Sequence, residues 1–198
     1  MIAPRIIVIG GSAGALEGLM AILPVLPATF EIPIVVVVHL APNQPSLVPG
    51  VLERVTALRV VEIEDKQPLA AGTVHVAPAN YHVLLERDAT LALSVDEHVH
   101  FSRPSLDVLF ESAVRAFHDA VVGIVLSGAN EDGALGLWHV ANAGGLAMVQ
   151  DAATARHSIM PNAAIAQVGT RARVLPPAKL AQCLADFDVE ARVQEHAG

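Results

Sequence analysis

The sequence predicts an α/β domain, a Rossmann-like three-layer sandwich in which helices cover both faces of a doubly wound, mostly parallel sheet. Hydrophobic residues make up 53% of the 198 residues and charged residues only 16%, which is typical of strands buried on both faces. Short apolar runs alternate with segments of helical period, and this alternation implies right-handed crossovers between parallel strands. In the middle, short strand-like segments separated by turn residues predict a small antiparallel hairpin insertion.

The first third of the chain contains the start of this alternation. Segment 5–10 is a strand, and a helix over 14–23 follows because its leucines and Met20 recur at helical spacing. The remaining elements of this part are a buried strand at 34–39, a helix at 45–57 and a strand at 59–63.

The rest of the chain contains the insertion and a second alternating run. The insertion is predicted from three short strands at 73–77, 82–87 and 90–95. Pro104 suits the first turn of a helix over 104–118, whose apolar residues fall on one face. The last third contains strands at 121–126 and 146–150 and helices at 133–143, 162–167 and 178–187.

Composition and charge narrow the classes of function. The formal net charge is −8 without a visible basic stripe, so we expect no nucleic-acid partner. No apolar run approaches the ~18 residues that a spanning helix needs, and the N-terminus lacks the order of a signal peptide. The single cysteine excludes an internal disulfide and any multi-cysteine metal site. We expect a cytoplasmic protein without membrane insertion.

The first strand is followed by a motif that suits a nucleophilic serine. Residues 10–14 read Gly-Gly-Ser-Ala-Gly and match G-x-S-x-G, a sharp strand-to-helix turn that exposes a serine hydroxyl. The helix that begins just after Ser12 offers free N–H groups and its dipole to an oxyanion. The alternative is an ordinary glycine-rich turn in which Ser12 caps the helix. The common phosphate-loop patterns are absent.

Two further strand ends contain polar residues. His39 directly follows four valines, and Asp132 immediately precedes the helix predicted at 133–143. A structural histidine and a plain helix N-cap are the alternatives. Because ligands bind at the carboxyl ends of parallel strands, Ser12, His39 and Asp132 can converge as nucleophile, base and orienting group. Their order differs from the Ser–Asp–His order of α/β-hydrolases.

The nine histidines raise the question of a metal site. His98 and His100 share one face of a strand, and His75 and His82 lie nearby in sequence. No carboxylate-and-histidine pattern such as H-E-x-x-H is present. We interpret these histidines as a solvated hairpin face and expect no metal.

Six motifs are spread across nearly all the chain: VIGGSAG (8–14), VVVVHLAP (35–42), VHVAPANYHV (74–83), RPSLDVLF (103–110), VLSGANEDGALG (125–136) and the pair Met160-Pro161. In their order and spacing they resemble the catalytic domain of the chemotaxis protein-glutamate methylesterase family, CheB. Their joint occurrence is highly specific. The resemblance implies a doubly wound α/β fold with an antiparallel hairpin, in agreement with the elements above.

The resemblance also implies a reaction. Ser12 matches the family's nucleophile, His39 its general base and acid, and Asp132 the residue that orients the histidine. The implied substrate is a glutamate γ-methyl ester on the cytoplasmic helices of a methyl-accepting chemotaxis receptor, and some members also deamidate receptor glutamine. The chemistry needs no cofactor. A hydrolase of another ester and a catalytically idle receptor-docking module remain the alternatives.

Other positions follow from the same resemblance. The backbone N–H groups of Ala13 and Ala129 would form the oxyanion hole, and Arg103 and Met160 would line the substrate groove. For Arg103, a surface arginine at a helix start is the alternative. The family often has threonine where Ala13 stands, and methionine and glycine where Ala129 and Asn130 stand. We therefore expect Asn130 to adopt a backbone angle that glycine takes freely.

The resemblance bears on domain organisation as well. Usual family members have a phosphorylatable receiver domain before the esterase, whereas the candidate nucleophile here is the twelfth residue. We expect residues 1–198 to form a single methylesterase domain without a receiver. A separate receiver or regulator protein is then an open partner.

Overall fold

The computed structural model describes residues 5–39 and 46–195, with side chains as far as residue 187. The strands are β1 (Ile6–Gly11), β2 (Ile34–Val38), β3 (Arg59–Glu62), β4 (Gln67–Pro68), β5 (Thr73–Val76), β6 (His82–Leu85), β7 (Thr90–Ser94), β8 (Val121–Val125), β9 (Leu146–Gln150) and β10 (Arg173–Leu175). The helices are α1 (Ala15–Ile22), α2 (Val48–Glu53), α3 (Leu106–Phe117), α4 (Ala134–Asn142), α5 (Ile159–Val168) and α6 (Pro177–Glu195).

The main sheet has seven strands in the order β10-β9-β8-β1-β2-β5-β3. All of its neighbouring strands pair in parallel. The central strands β1, β2 and β8 are apolar and buried along their whole length, as expected for strands covered on both faces. The chain first leaves β1 towards β2 and later returns to the opposite side of β1 with β8. The topological switch point, where ligands bind in such sheets, therefore lies beside β1.

Helices cover both faces of this sheet. Ile7 and Ile9 of β1 face a core formed with α1, α2 and α6, whereas Ile6 and Val8 face a core formed with α3, α4 and α5. This alternation follows from the two-residue period of a strand. The predicted doubly wound three-layer architecture is confirmed. No helix among the residues described above is both long and apolar enough to cross a bilayer.

The small antiparallel sheet is also confirmed, but one of its strands was assigned wrongly. It consists of β4, β7 and β6 in that order, whereas the predicted strand at 73–77 is β5, which pairs in parallel with β2 and β3. The polar residue His75 makes this segment look half-solvated, yet His75 is fully buried and its Nε2 accepts a hydrogen bond from the Ala70 amide at 3.1 Å. His82 is 1% exposed, so the solvated face predicted for the histidines is wrong for His75 and His82, whereas His98 and His100 are exposed as expected.

Several element boundaries differ from those predicted. The helix predicted at 45–57 is the shorter α2, and Pro45 lies outside the described residues. The helix predicted at 162–167 begins earlier as α5, and the helix predicted at 178–187 extends to Glu195 as α6. Strands β4 and β10 were not predicted because each has only two or three residues, too few to show a period.

Candidate active site

Three adjacent strands bring the predicted site residues to one edge of the sheet. Ser12 follows β1, His39 follows β2, and Asp132 lies in the loop after β8. The His39 amide donates to the Gly11 carbonyl at 3.1 Å, and the Ser12 amide donates to the Ser127 carbonyl at 2.9 Å. These backbone bonds continue the strand pairing past the ends of the strands, so that all three residues lie at the switch point beside β1.

Asp132 is a fully buried carboxylate that accepts four hydrogen bonds. Its Oδ2 accepts from His39 Nε2 at 2.8 Å and from the Leu106 amide at 2.7 Å. Its Oδ1 accepts from the Ser105 hydroxyl at 2.7 Å and from the Asp107 amide at 3.2 Å. These four donors fill the acceptor positions of the two oxygens. The carboxylate is therefore held in one orientation against His39.

The hydrogen bonds keep Asp132 ionised despite its burial. Burial by itself raises the pKa of Asp132, but the hydrogen bonds from His39, the Leu106 amide and Ser105, together with the charge of His39, outweigh it and lower the pKa below its usual range. The amides of Leu106 and Asp107 also belong to the first turn of α3, where the helix dipole favours a negative charge.

Asp132 does not cap the helix that follows it, which was the alternative considered for this residue. Gly133, with a φ of 91°, occupies the N-cap of α4 without a side-chain hydrogen bond. Asp132 instead accepts hydrogen bonds from the first-turn amides of α3, while Asp107 of α3 accepts a hydrogen bond from the Gly136 amide of α4 at 2.6 Å. The N-terminus of α3 thus donates to Asp132, which lies just before α4, and the N-terminus of α4 donates to Asp107 of α3. Burial raises the pKa of Asp107.

The ionised Asp132 determines the tautomer of His39. Since the carboxylate can only accept, His39 donates from Nε2–H, and Nδ1 holds the free lone pair. The His39 side chain is 11% exposed. Within the described part of the chain, the polar side-chain atom that contacts Nδ1 is Ser102 Oγ, at 3.3 Å. Nδ1 is therefore the nitrogen that can act as a base.

Ser12 lies on the sharp turn between β1 and α1. Gly14 makes this turn possible, because its φ is 83° and an added Cβ would lie 2.7 Å from Ser127 Oγ. Ser12 is half-buried, and its hydroxyl forms no hydrogen bond with residues 5–39 or 46–195. Catalytic hydrogen bonds are often long or absent before a substrate binds. The hydroxyl remains available to a substrate and to His39.

The two candidate oxyanion-hole amides are also available. Ala13 and Ala129 are exposed, and neither backbone N–H donates to another described residue. The carbonyl of Ala13 accepts from Ser127 Oγ at 2.8 Å, and the Gly128 amide donates to the His157 carbonyl at 3.0 Å. These contacts hold the backbone at Ala13 and at Gly128, the residue before Ala129. Free, preorganised N–H donors are what an oxyanion hole requires.

Met160, expected to line the substrate groove, has a different place in the structure. It is fully buried, its amide donates to the Gly128 carbonyl at 3.0 Å, and its side chain packs directly against Gly128. Met160 therefore packs against the buried side of the loop that contains Ala129 and does not face a groove.

Arg103, the other expected groove residue, is committed to the protein itself. Its Nε and Nη2 donate to Asn80 Oδ1 at 3.1 and 2.8 Å. Its Nη1 donates to the carbonyls of Val95 and Asp96 at 2.7 and 3.0 Å. The guanidinium thus anchors the segment before α3 to the antiparallel sheet.

Asn130 does not have the backbone angle expected for a residue in place of glycine. The φ of Asn130 is not positive. The described non-glycine residues with a positive φ are Lys66, Asn80, Ala89, His100, Phe101 and His118. Its side chain is used instead. Asn130 Oδ1 accepts from the Asp132 amide at 3.4 Å, and Nδ2 donates to Ser102 Oγ at 3.5 Å.

Among the described residues, one group has the composition of a cation site. Ligand atoms of His100, Asp107 and Asp132 lie within 4.8 Å of one another. The oxygens of Asp132 are already occupied by donors, so a cation there would displace the hydrogen bonds that orient His39. His100 pairs with Asp107 at 3.3 Å and with Glu131 at 3.6 Å. His100, Asp107 and Glu131 line a cavity of about 490 Å³ next to α4 and α5.

Sequence reasoning missed the serines that support the site. Ser105 binds Asp132, Ser127 binds the Ala13 carbonyl, and Ser102 contacts His39. Ser105 has the strongest sequence signal, since it is the N-cap of α3. The doubly wound fold and the convergence of Ser12, His39 and Asp132 at its switch point suit a hydrolase of the serine type, in a chain order that is not the order of the α/β-hydrolases.

Comparison with known proteins identifies the family. The CheB methylesterase family model matches residues 7–184, and the chain belongs to that family. A Leptospira interrogans protein, provisionally named a protein-glutamate methylesterase/protein-glutamine glutaminase, is 46% identical over 159 residues, which are 80% of this chain and 82% of that protein. The Nocardioides protein named a protein-glutamate methylesterase/protein-glutamine glutaminase is 39% identical over 175 residues, which are 87% of this chain but 47% of the relative.

A solved structure has the same fold. The Thermotoga maritima CheB methylesterase catalytic domain is 28% identical, and the match covers 94% of this chain and 100% of that domain with a TM-score of 0.87. The identification of the family from its quoted segments is therefore confirmed.

Proposed function

We propose that this chain is a protein-glutamate methylesterase that hydrolyses glutamate γ-methyl esters, with glutamine deamidation as a second reaction at the same site. The observation that carries the proposal is the 2.8 Å hydrogen bond from His39 to the buried carboxylate of Asp132, beside the turn that contains Ser12. Both activities occur in the names of the curated relatives, which supports the pairing of an ester and an amide substrate.

The proposed reaction begins with the attack of Ser12 Oγ on the ester carbonyl carbon. The hydroxyl proton passes to His39 Nδ1, and Asp132 remains ionised and stabilises the imidazolium. The oxyanion accepts hydrogen bonds from the amides of Ala13 and Ala129. His39 then returns the proton to the leaving methoxide, so that methanol departs and an acyl-serine remains.

Water completes the proposed cycle. A water molecule attacks the acyl carbon while its proton passes to His39 Nδ1. Collapse of the second tetrahedral intermediate returns that proton to Ser12 Oγ and releases the glutamate side chain. With glutamine as substrate the same steps release ammonia. Every proton transfer uses the nitrogen that the Asp132 contact leaves unprotonated.

The proposed substrate is a methyl-accepting chemotaxis receptor, at its cytoplasmic helices. Membership of the CheB methylesterase family supports this choice, and the proposal places the enzyme in the cytoplasm. We further propose that residues 1–198 act as one methylesterase domain without a metal or cofactor. A separate receiver or regulator protein is a candidate partner.

A serine-directed fluorophosphonate tests the proposal directly. Mass spectrometry of the treated protein is expected to show one adduct, at Ser12, that is absent from Ser12→Ala. Ser94→Ala is a matched control, because Ser94 is a half-buried serine whose hydroxyl accepts only from the Asp96 amide among the described residues. An unlabelled Ser12 would favour the catalytically idle module. Labelling together with hydrolysis of other esters but not of glutamyl methyl esters would favour a different ester substrate.

A further inference from the structure

We propose that Ser102, held by Asn130, is a positioning residue for the catalytic base. This inference rests on the proposed function and deepens it. Ser102 keeps the imidazole of His39 in the orientation in which Nε2 binds Asp132, and it provides a hydrogen-bond partner for Nδ1 in both protonation states of the ring.

The contacts of Ser102 define this role. Its Oγ lies 3.3 Å from His39 Nδ1 and 3.4 Å from the His100 carbonyl, and it accepts from Asn130 Nδ2 at 3.5 Å. Since Asp132 fixes the Nε2–H tautomer, Nδ1 is an acceptor in the free enzyme, and the Ser102 hydroxyl is the side-chain donor that the described residues offer it. His39 is therefore held at both ring nitrogens.

A hydroxyl suits this position because it both donates and accepts. In the free enzyme Ser102 donates to the lone pair of Nδ1. When Ser12 approaches Nδ1, the Ser102 proton turns to the His100 carbonyl, the second acceptor within reach. Once Nδ1 is protonated, Ser102 Oγ can accept from the new N–H. The ring therefore keeps a partner on Nδ1 throughout the reaction without rotating away from Asp132.

The backbone that presents Ser102 is strained. His100 and Phe101 have φ values of 48° and 60°, in a region that asparagine and glycine occupy far more readily than these residues. Reciprocal backbone hydrogen bonds between Val99 and Ser102, at 3.2 and 2.9 Å, close this tight turn. Strain of this kind persists where surrounding structure imposes it and is concentrated at functional sites.

The next residue fixes the turn from the other side. Arg103 is anchored to Asn80 and to the hairpin carbonyls, so Ser102 lies between a closed turn and an immobilised guanidinium. Arg103 thereby supports the residue that contacts His39. The Phe101 side chain, by contrast, is entirely exposed, so it is Ser102 and not Phe101 that the turn directs inward.

The ionisable groups near His39 come from several elements. Asp132 binds Nε2 directly, and Asp107 of α3 adjoins Asp132. His100 of the strained turn and Glu131 of the loop after β8 pair with each other at 3.6 Å. Because several ionisable groups surround His39, the test relies on the His39 resonance itself and not on a pH profile alone.

The experiment compares Ser102→Ala with Ser102→Thr, Asn130→Ala and the control Ser94→Ala in the full chain. Nitrogen NMR of His39 is expected to show the Nε2–H tautomer in all of them, since Asp132 is unchanged. The Nδ1 resonance is expected to move towards that of an unbonded acceptor in Ser102→Ala, in part in Asn130→Ala, and not in the other two. The rate of fluorophosphonate labelling at Ser12 is expected to fall about tenfold in Ser102→Ala, as for the loss of one catalytic hydrogen bond.

Further readouts separate positioning from structure. With a methylated receptor domain as substrate, Ser102→Ala is expected to have a lower kcat with little change in KM. The loss of activity in the double variant Ser102→Ala/Asn130→Ala is expected to be less than the two single losses combined. An unchanged Nδ1 resonance in Ser102→Ala would overturn the proposal, as would an unchanged labelling rate. If even the wild type fails to label at Ser12, the proposed function is wrong, while the NMR comparison still tests the contact between Ser102 and His39.

Discussion

At the scale of single residues, Ser12 is the proposed nucleophile. Among the described residues, its hydroxyl and the amides of Ala13 and Ala129 have no hydrogen-bond partner, and Gly14 makes the sharp turn after Ser12 possible. Ser12→Ala is expected to lower ester hydrolysis by several orders of magnitude, because the members of a triad act as a unit. Circular dichroism and the thermal unfolding midpoint should match those of the wild type. Hydrolysis by Ser12→Ala at nearly the wild-type rate would contradict the assignment.

Asp132→Asn tests the fixed tautomer of His39. An amide in place of the carboxylate would accept at one position only, so His39 would lose its obligatory acceptor, and the rate is expected to fall about 10⁴-fold. The variant is also expected to be less stable, since its NH₂ group would face donors such as the Leu106 amide. Asp119→Asn, at an exposed residue, is the control for an aspartate change elsewhere. A rate within a few-fold of wild type would rule out Asp132 as the orienting group.

The same carboxylate makes stability depend on pH. The pKa of Asp132 is lower in the folded protein than in the unfolded chain, so its contribution to stability is complete above the unfolded value, about pH 4, and is lost as the pH falls through the folded value. Asp107 affects stability in the opposite direction, because its pKa is raised in the folded protein and its protonation on acidification favours folding. Urea unfolding below about pH 4 is expected to show a smaller loss of stability on acidification for Asp132→Asn than for the wild type. Equal losses would mean that Asp132 is not held ionised.

The residues of the site divide into those that sequence could reveal and those it could not. Ser12 and His39 directly follow predicted strands, so the edge they share could be inferred from parallel topology alone. Ser102 and Ser105 reach the site across 63 and 27 residues of sequence, and no local pattern indicates such contacts. Met160 shows the converse, since a residue expected at the surface is held in the core by its packing against Gly128.

At the scale of elements, the loop after β8 and helix α5 depend on each other. A Cβ on Gly128 would lie 2.5 Å from Met160 Sδ and 2.9 Å from Met160 Cβ, and Met160 has no room to move because it is fully buried. Gly128→Ala is expected to cost about 1–3 kcal/mol of stability and to displace the Ala129 amide, so that kcat falls more than KM rises.

Gly50→Ala is the matched control for this change. Gly50 lies in α2 with nothing within 4 Å of an added Cβ, and alanine is favoured over glycine in a helix by about 1 kcal/mol. Denaturant unfolding should therefore show lower stability for Gly128→Ala and higher stability for Gly50→Ala. Steady-state kinetics should show a lower kcat for Gly128→Ala alone. Unaltered stability in Gly128→Ala would show that the loop does not depend on its contact with Met160.

The elements that sequence patterns identified are those whose periods are long enough to recognise. Strands β1, β2, β8 and β9 and helix α3 were predicted because each has a continuous apolar run or a clear helical face. Strand β5 was placed in the wrong sheet, since His75 gives it the alternation of a half-exposed strand although both faces are covered. Only the tertiary pairing with β2 and β3 resolves this ambiguity.

At the scale of the whole molecule, the topology creates the site. The chain winds in one direction from β1 through β2 and in the other through β8 and β9, so that the loops of both halves meet at the carboxyl edge beside β1. Helices α3 and α4 then approach end to end through Asp132 and Asp107. The same architecture in the Thermotoga maritima domain, at 28% identity, indicates that the fold tolerates extensive change elsewhere.

The most direct measurement is the release of methanol from a methylated receptor cytoplasmic domain by the purified protein. We expect stoichiometric methanol, one molecule for each glutamyl ester that mass spectrometry shows to be lost from the receptor, and none above background with Ser12→Ala. Wild-type protein that binds the receptor domain but leaves its methyl esters intact would contradict the central claim, as would methanol release that persists in Ser12→Ala.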